Sequence, residues 1–179
     1  MIIQMAGLPG TGKSALASAL AGELPGVVLD KDGIRQALFT TAASYTREQD
    51  DFCVHVMFDA AAYLLAHGHG IVILDGRTCS RTYQVAEVRQ FAARMDHSLT
   101  LIECVCAETT AHRRLAAGCD HPAANRDFDL YRQLRDAGDP IPAPKLLLDT
   151  DAAPDVVLAR CLGQLRTTGV RPLPAGVSA

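Results

Sequence analysis

Near the start of the chain, Gly7-Leu8-Pro9-Gly10-Thr11-Gly12-Lys13-Ser14 fits the spacing G-x-x-x-x-G-K-[ST]. A loop of this kind turns successive backbone N–H groups toward the phosphates of a nucleoside triphosphate. Each residue type has a task. Gly7 and Gly12 permit backbone angles and close approaches that a side chain forbids. Lys13 can set an ammonium on the β- and γ-phosphates, and Ser14 can offer a hydroxyl to Mg²⁺. The set expected to hold the nucleotide is Gly7, Pro9, Gly10, Thr11, Gly12, Lys13, Ser14 and Ala15. A second group, Asp32 and Arg35 in Leu29-Asp30-Lys31-Asp32-Gly33-Ile34-Arg35, pairs an acid that can take a hydroxyl proton with a guanidinium that can bind an anionic or hydroxylated acceptor. Asp75, closing an apolar run, fits an acid that positions Mg²⁺, and Arg77 two residues later could reach an acceptor substrate.

These residues need elements to hold them. Met1-Ile2-Ile3-Gln4-Met5-Ala6 reads as a strand that feeds the loop, and Ala15 to Ala21 is a strong helix former whose N-terminus would face the phosphates. Val27 to Asp30, Ile71 to Asp75, Leu99 to Val105 and Lys145 to Asp149 read as four further strands. Helical patterns stand between them: Asp32 to about Phe39, Thr46 to Gly68 or Gly70, Thr82 to Met95, Glu108 to Ala117 and Arg126 to Ala137. A last helix is expected over Pro154 to Leu165. Thr40 to Ser44, small and polar, reads as a loop. The alternation of strand and helix periods is that of a parallel α/β sheet. In such sheets ligands bind beyond the carboxyl ends of the strands, which is where Asp32 and Asp75 fall.

Composition narrows the classes. The chain has 179 residues, 49% of them hydrophobic, and a formal net charge of −3, which suits one globular domain and speaks against a polynucleotide substrate. No apolar run reaches the ~18 residues a membrane span requires, and no charged-then-apolar leader opens the chain, so a cytoplasmic location is expected. The six cysteines have no metal-ligand spacing and read as buried thiols. His55, His67 and His69 read as surface or capping residues.

The chain resembles the small P-loop kinases that group with phage polynucleotide kinase, chloramphenicol phosphotransferase, gluconate kinase and the zeta toxins. The resemblance covers roughly Met1 to Leu165 and rests on residues 7 to 14, on Leu29 to Arg35, on Leu74-Asp75-Gly76-Arg77-Thr78 and on Leu148-Asp149-Thr150-Asp151. It implies an α/β, three-layer αβα P-loop NTPase kinase fold with a five-stranded parallel sheet in order 2-3-1-4-5. It also implies ATP and Mg²⁺ as cofactors, with Lys13 and Asp32 catalytic, Asp32 as the base, and Ser14 and Asp75 on the metal side. Asp32, Arg35 and Arg77 would meet the acceptor. A domain over residues 1–168 would carry a lid near 113–130, with Arg114 on the nucleotide and Arg126 acting on the transferred group, and residues 169–179 would form a loosely held tail. Lids of this group often carry another Arg one turn beyond the position of Arg114, where this chain has Leu115-Ala116-Ala117-Gly118.

The expected activity is transfer of the γ-phosphoryl group of ATP to a hydroxyl of a small molecule, by a monomer or homodimer with no membrane partner. Two other readings stand beside it: a polynucleotide 5′-hydroxyl kinase, and a nucleotide-binding switch with weak hydrolysis in which Thr40 to Ser44 would move.

Overall fold

A computed structural model describes residues 1–117 and 127–167. Its element order is β1 (Ile2–Ala6), α1 (Lys13–Glu23), β2 (Gly26–Asp30), α2 (Lys31–Phe39), α3 (Arg47–Ala66), β3 (Ile71–Asp75), α4 (Thr82–Arg94), β4 (Leu99–Val105), α5 (Glu108–Ala117), α6 (Phe128–Ala137), β5 (Leu146–Asp149) and α7 (Pro154–Thr167). The five strands are parallel in the order β2-β3-β1-β4-β5, as the resemblance implied.

Successive side chains of a strand point to opposite faces, and that period sorts the core into two layers. Ile3, Met5 and Ile73 face α1 and α7, packing with Leu16, Leu20, Val157 and Leu165. Ile2, Val72 and Leu74 face α3 and α4, packing with Met57, Phe58, Val88 and Phe91. The rings of Phe58 and Phe91 stack at 4.5 Å, which ties α3 to α4 across that layer. Both faces of the sheet are therefore covered, and this is why β1 and β3 are apolar almost without a break. The exception, Gln4, is 1% exposed and spends its amide on Met5 O at 2.7 Å and Leu74 O at 3.3 Å.

The element boundaries depart from the sequence pattern in small ways. Thr40–Ala42, expected as loop, forms a short 3-10 turn after α2. Helix α3 ends at Ala66 with His67 as its C-cap, where the ring stacks on Tyr63 at 3.9 Å. Residues 118–126 of the expected lid, Arg126 among them, and the tail at 169–179 lie outside the described residues.

The chain after β1 turns to α1 on one face, whereas the chain after β3 turns to α4 on the other. Adjacent strands whose connections diverge leave a crevice at their carboxyl ends. Residues 7–14 and 76–81 flank that crevice.

Candidate active site

The loop between β1 and α1 is held by close packing that only glycine allows. Gly7 has φ 126°, and a Cβ there would sit 2.3 Å from Cys104 O on the neighbouring strand β4. Gly12, at φ 81°, is the left-handed residue at which loop becomes helix α1. The first turn of α1 carries no acid, so its N-terminal dipole faces the loop uncancelled. Inside the loop, Leu8 O accepts from Thr11 Oγ1 at 2.7 Å and from Lys13 Nζ at 3.0 Å. Gly7 N donates to Thr78 O at 3.0 Å, which joins this loop to the one after β3.

Two residues beyond the loop brace it. Thr150, immediately after β5, donates its hydroxyl to Thr11 O at 2.8 Å. Arg114 of α5 donates from Nη1 to Thr150 Oγ1 at 3.1 Å and to Gly10 O at 3.4 Å, and from Nη2 to Thr150 O at 2.7 Å. Its guanidinium lies against Gly12, 3.6 Å from where a Cβ would stand. Arg114 thus lies beside the loop, with several of its donors engaged with backbone and Thr150.

The acid and the arginine predicted to act together meet in the fold. Asp30 caps α2 by accepting from the N–H groups of Asp32 and Gly33, each at 3.0 Å, which fixes the first turn of the helix. One turn apart on α2, Asp32 Oδ1 accepts from Arg35 Nη1 at 2.8 Å. Lys31 Nζ lies 3.6 Å from the same oxygen. Both cations also reach Asp50 on the first turn of α3: Arg35 Nη2 donates to Asp50 Oδ1 at 2.6 Å, and Lys31 Nζ donates to that atom as well. Burial pushes the Asp50 carboxyl up, yet Lys31 and Arg35 outweigh it and hold the group below the usual range. For Arg35, burial works against the charge while Asp50 and Asp32 favour it, with a net rise. The result is a four-membered network, Lys31, Asp32, Arg35 and Asp50, with two charges of each sign.

Asp75 stands beside Asp30 in register at the ends of β3 and β2. Burial, with the Asp32 and Asp75 carboxylates, raises the pKa of Asp30 despite its two N–H donors. Asp75 is 1% exposed, and its Oδ1 has no hydrogen-bond partner among the described residues. A buried carboxylate oxygen without a donor is costly unless a cation completes it. Arg77, also buried, donates to Glu87 Oε2 at 2.7 Å and reaches Asp51 Oδ1 at 3.4 Å. Those contacts fix it in the wall between α3 and α4.

One cavity of about 580 Å³ joins these parts. Pro9, Lys13 and Ser14 line it from the phosphate loop, Asp32 and Arg35 from α2, Asp50 from α3, and Arg77 from the loop after β3. Sequence patterns brought forward the loop, Asp32, Arg35, Asp75 and Arg77. They passed over Asp50, Lys31 and Glu87, and they assigned no task to Thr150. Nothing local marks Asp50, since its partners are 15 and 19 positions away.

Residues 2–135 match a family described as an AAA domain. No curated protein matches the chain in sequence. Among solved structures, the chain is similar to a sugar kinase from Janibacter sp., with 15% identity, TM-score 0.68, and 92% of this chain and 94% of that one covered. A gluconokinase from Sinorhizobium meliloti gives 14% identity and TM-score 0.63 over 93% and 91% of the two chains. The APS kinase of Mycobacterium tuberculosis, solved with AMPPNP and APS, gives 18% and 0.65 over 92% and 96%. At these identities the likeness concerns the fold. The phosphate loop, the strand order and the extent of the family match together place the chain in the AAA-domain family, with the fold of the P-loop kinases.

Proposed function

We propose that the protein is an ATP-dependent kinase that transfers a phosphoryl group to a hydroxyl of a small molecule. The observation that carries this reading is the shared cavity: Asp32, a carboxylate held by Arg35, opens onto the same space as Lys13 and Ser14 of the phosphate loop. A switch needs the loop and has no use for an acid and an arginine set across the cavity from it.

The roles follow from chemistry and position. Backbone N–H groups of the loop and the N-terminus of α1 hold the phosphates, with Lys13 offsetting charge on the γ-phosphoryl group. Asp32 takes the proton of the acceptor hydroxyl as its oxygen bonds to the γ-phosphorus and the bond to the bridging oxygen breaks, releasing ADP. Arg35 fixes the direction in which Asp32 points and lies within reach of the acceptor. The donor set fits Mg²⁺: Ser14 offers a hydroxyl and Asp75 a buried, unpartnered carboxylate oxygen, hard oxygen ligands of the kind this ion takes. When bound, Mg²⁺ neutralises charge on the phosphates.

The test is Asp32→Asn, which keeps the shape of the side chain and removes its basicity. Phosphoryl transfer to acceptors in a panel of sugars, nucleosides, antibiotics and short oligonucleotides is expected to fall by about 10²–10⁴-fold. Affinity for a non-hydrolysable ATP analogue, measured by calorimetry, is expected to hold within about twofold, since Asp32 lies outside the phosphate loop. Lost nucleotide affinity with unchanged turnover of the bound enzyme would remove Asp32 as the base.

A further inference from the structure

The cavity is lined by six cationic side chains and two carboxylates, Asp32 and Asp50, in a chain whose net charge is −3. Lys13 belongs to the phosphate loop. The innermost cations are compensated: Lys31 and Arg35 by Asp32 and Asp50, and Arg77 by Glu87 and Asp51. The outer pair differs. Arg47, the first residue of α3, has a side chain 74% exposed and meets only Asp51 among the described carboxylates, at 3.4 Å through Nε. Arg81, the N-cap of α4, makes no ion pair among the described residues and donates Nη1 to Ala137 O. The nearby Asp139 carboxylate attracts Arg81 at longer range, while its Oδ2 accepts from the N–H and hydroxyl of Thr82 at 2.8 and 3.0 Å.

Tyr83 also lines this cavity, and its ring carries the Arg47 guanidinium 4.5 Å from its centroid, with Arg77 at 5.7 Å. A guanidinium stacked in this way is held in one orientation while its edge donors remain directed outward. Arginine has donors and no acceptor, and of the lining carboxylates Asp32 already accepts from Arg35 and Asp50 from both Lys31 and Arg35. What enters must therefore bring acceptor oxygens of its own.

We propose that the acceptor carries, besides its hydroxyl, an anionic group, a carboxylate or phosphate, bound by Arg47 and Arg81 at the mouth of the cavity. The hydroxyl then lies inward toward Asp32. This rests on the kinase reading and narrows it to hydroxy acids and phosphorylated alcohols. Charges at a rim act on capture from solution, so the KM for such an acceptor rises with ionic strength.

The experiment measures ATP-dependent phosphorylation across matched compounds with and without the anion: glucose, gluconate and glucose 6-phosphate, then neutral alcohols beside their carboxylated and phosphorylated counterparts. The carboxylate and phosphate arms separate the two sources of charge. Anionic members are expected to exceed neutral ones by roughly 10–100-fold in kcat/KM, the range of a charge-assisted contact. Arg47→Gln, on an exposed helix start, is expected to raise KM for the anionic acceptor about tenfold with kcat changed less than twofold. Arg81→Gln is expected to do the same, with folding checked by a thermal melt. Equal or better use of neutral members, or an unchanged KM in both variants, overturns the proposal and leaves the kinase reading standing. Turnover of no member by protein that binds the ATP analogue overturns the kinase reading and this proposal with it.

Discussion

Asp50→Asn removes one negative charge from the network of Lys31, Asp32, Arg35 and Asp50 while keeping the volume of the side chain. Arg35 and Lys31, 4% and 10% exposed at their side chains, would then share Asp32 alone. Removing one partner of a fully buried pair costs about 3–5 kcal/mol. The Asp50 side chain keeps 22% exposure and Asp32 remains as a partial counter-charge, so a loss of about 2–3 kcal/mol is expected at pH 7. For a chain of this length that is a fall in Tm of roughly 5–10 °C. The sign of the pH dependence is fixed by the depressed pKa of Asp50. Its contribution is complete above the ordinary carboxylate value of about 3.9 and disappears as pH falls through the lower folded value. Urea melts of wild type and variant at pH 7, 5 and 3.5 should therefore differ equally at the first two and by a smaller amount at the third. A gap below about 0.5 kcal/mol at pH 7, within the range of an ordinary surface change, would refute the network. A gap undiminished between pH 5 and pH 3.5 would show that the amide perturbs packing instead.

Three further outcomes follow from the same geometry. Thr150→Val keeps shape but leaves Thr11 O without its donor, and calorimetry with a non-hydrolysable ATP analogue should show about tenfold weaker binding, while unchanged affinity would make the brace irrelevant to the loop. Gly7→Ala places a methyl group 2.3 Å from Cys104 O at φ 126° and should cost about 3 kcal/mol or more in a urea melt, and a loss under about 1 kcal/mol would contradict the packing described. Burial pushes the thiols of Cys79, Cys104 and Cys161 up to about 12, so at pH 8 only about one in ten thousand of each is thiolate. Native protein treated with iodoacetamide should show no adduct at these three by mass spectrometry, and rapid labelling there would refute their enclosure.

Local chemistry decided what could be read before the fold was known. The phosphate loop was legible because its glycines, lysine and serine act over eight consecutive residues, and β3 because a strand covered on both faces is apolar at every position until Asp75. Asp32 and Arg35 were legible together because one helical turn separates them. The remainder rests on pairs that only the sheet order brings together. Asp50 reads as an ordinary acid in a first helical turn until α3 packs beside α2. Arg77 reads only as a loop arginine that could reach an acceptor, until α4 delivers Glu87 to it and sets it in the cavity wall. Thr150 was visible within Leu148 to Asp151, but its partner is 139 positions earlier.

That last separation ties the phosphate loop to a distant stretch of the chain. Gly7 to Ser14 precede by far the hydroxyl that clasps Thr11, which arrives with the turn after β5, the strand at the sheet edge. The family match ends at residue 135, so the clasp comes from chain beyond it. A fragment ending before residue 150 would possess every residue of the motif and still lack this support. Fraying of β5, which among the described strands pairs with β4 alone, would be felt directly in the loop as a loosened Thr11 carbonyl and an Arg114 without its anchor. The edge strand is thus a gauge of completion, allowing the phosphate loop its full set of supports only when the domain has closed.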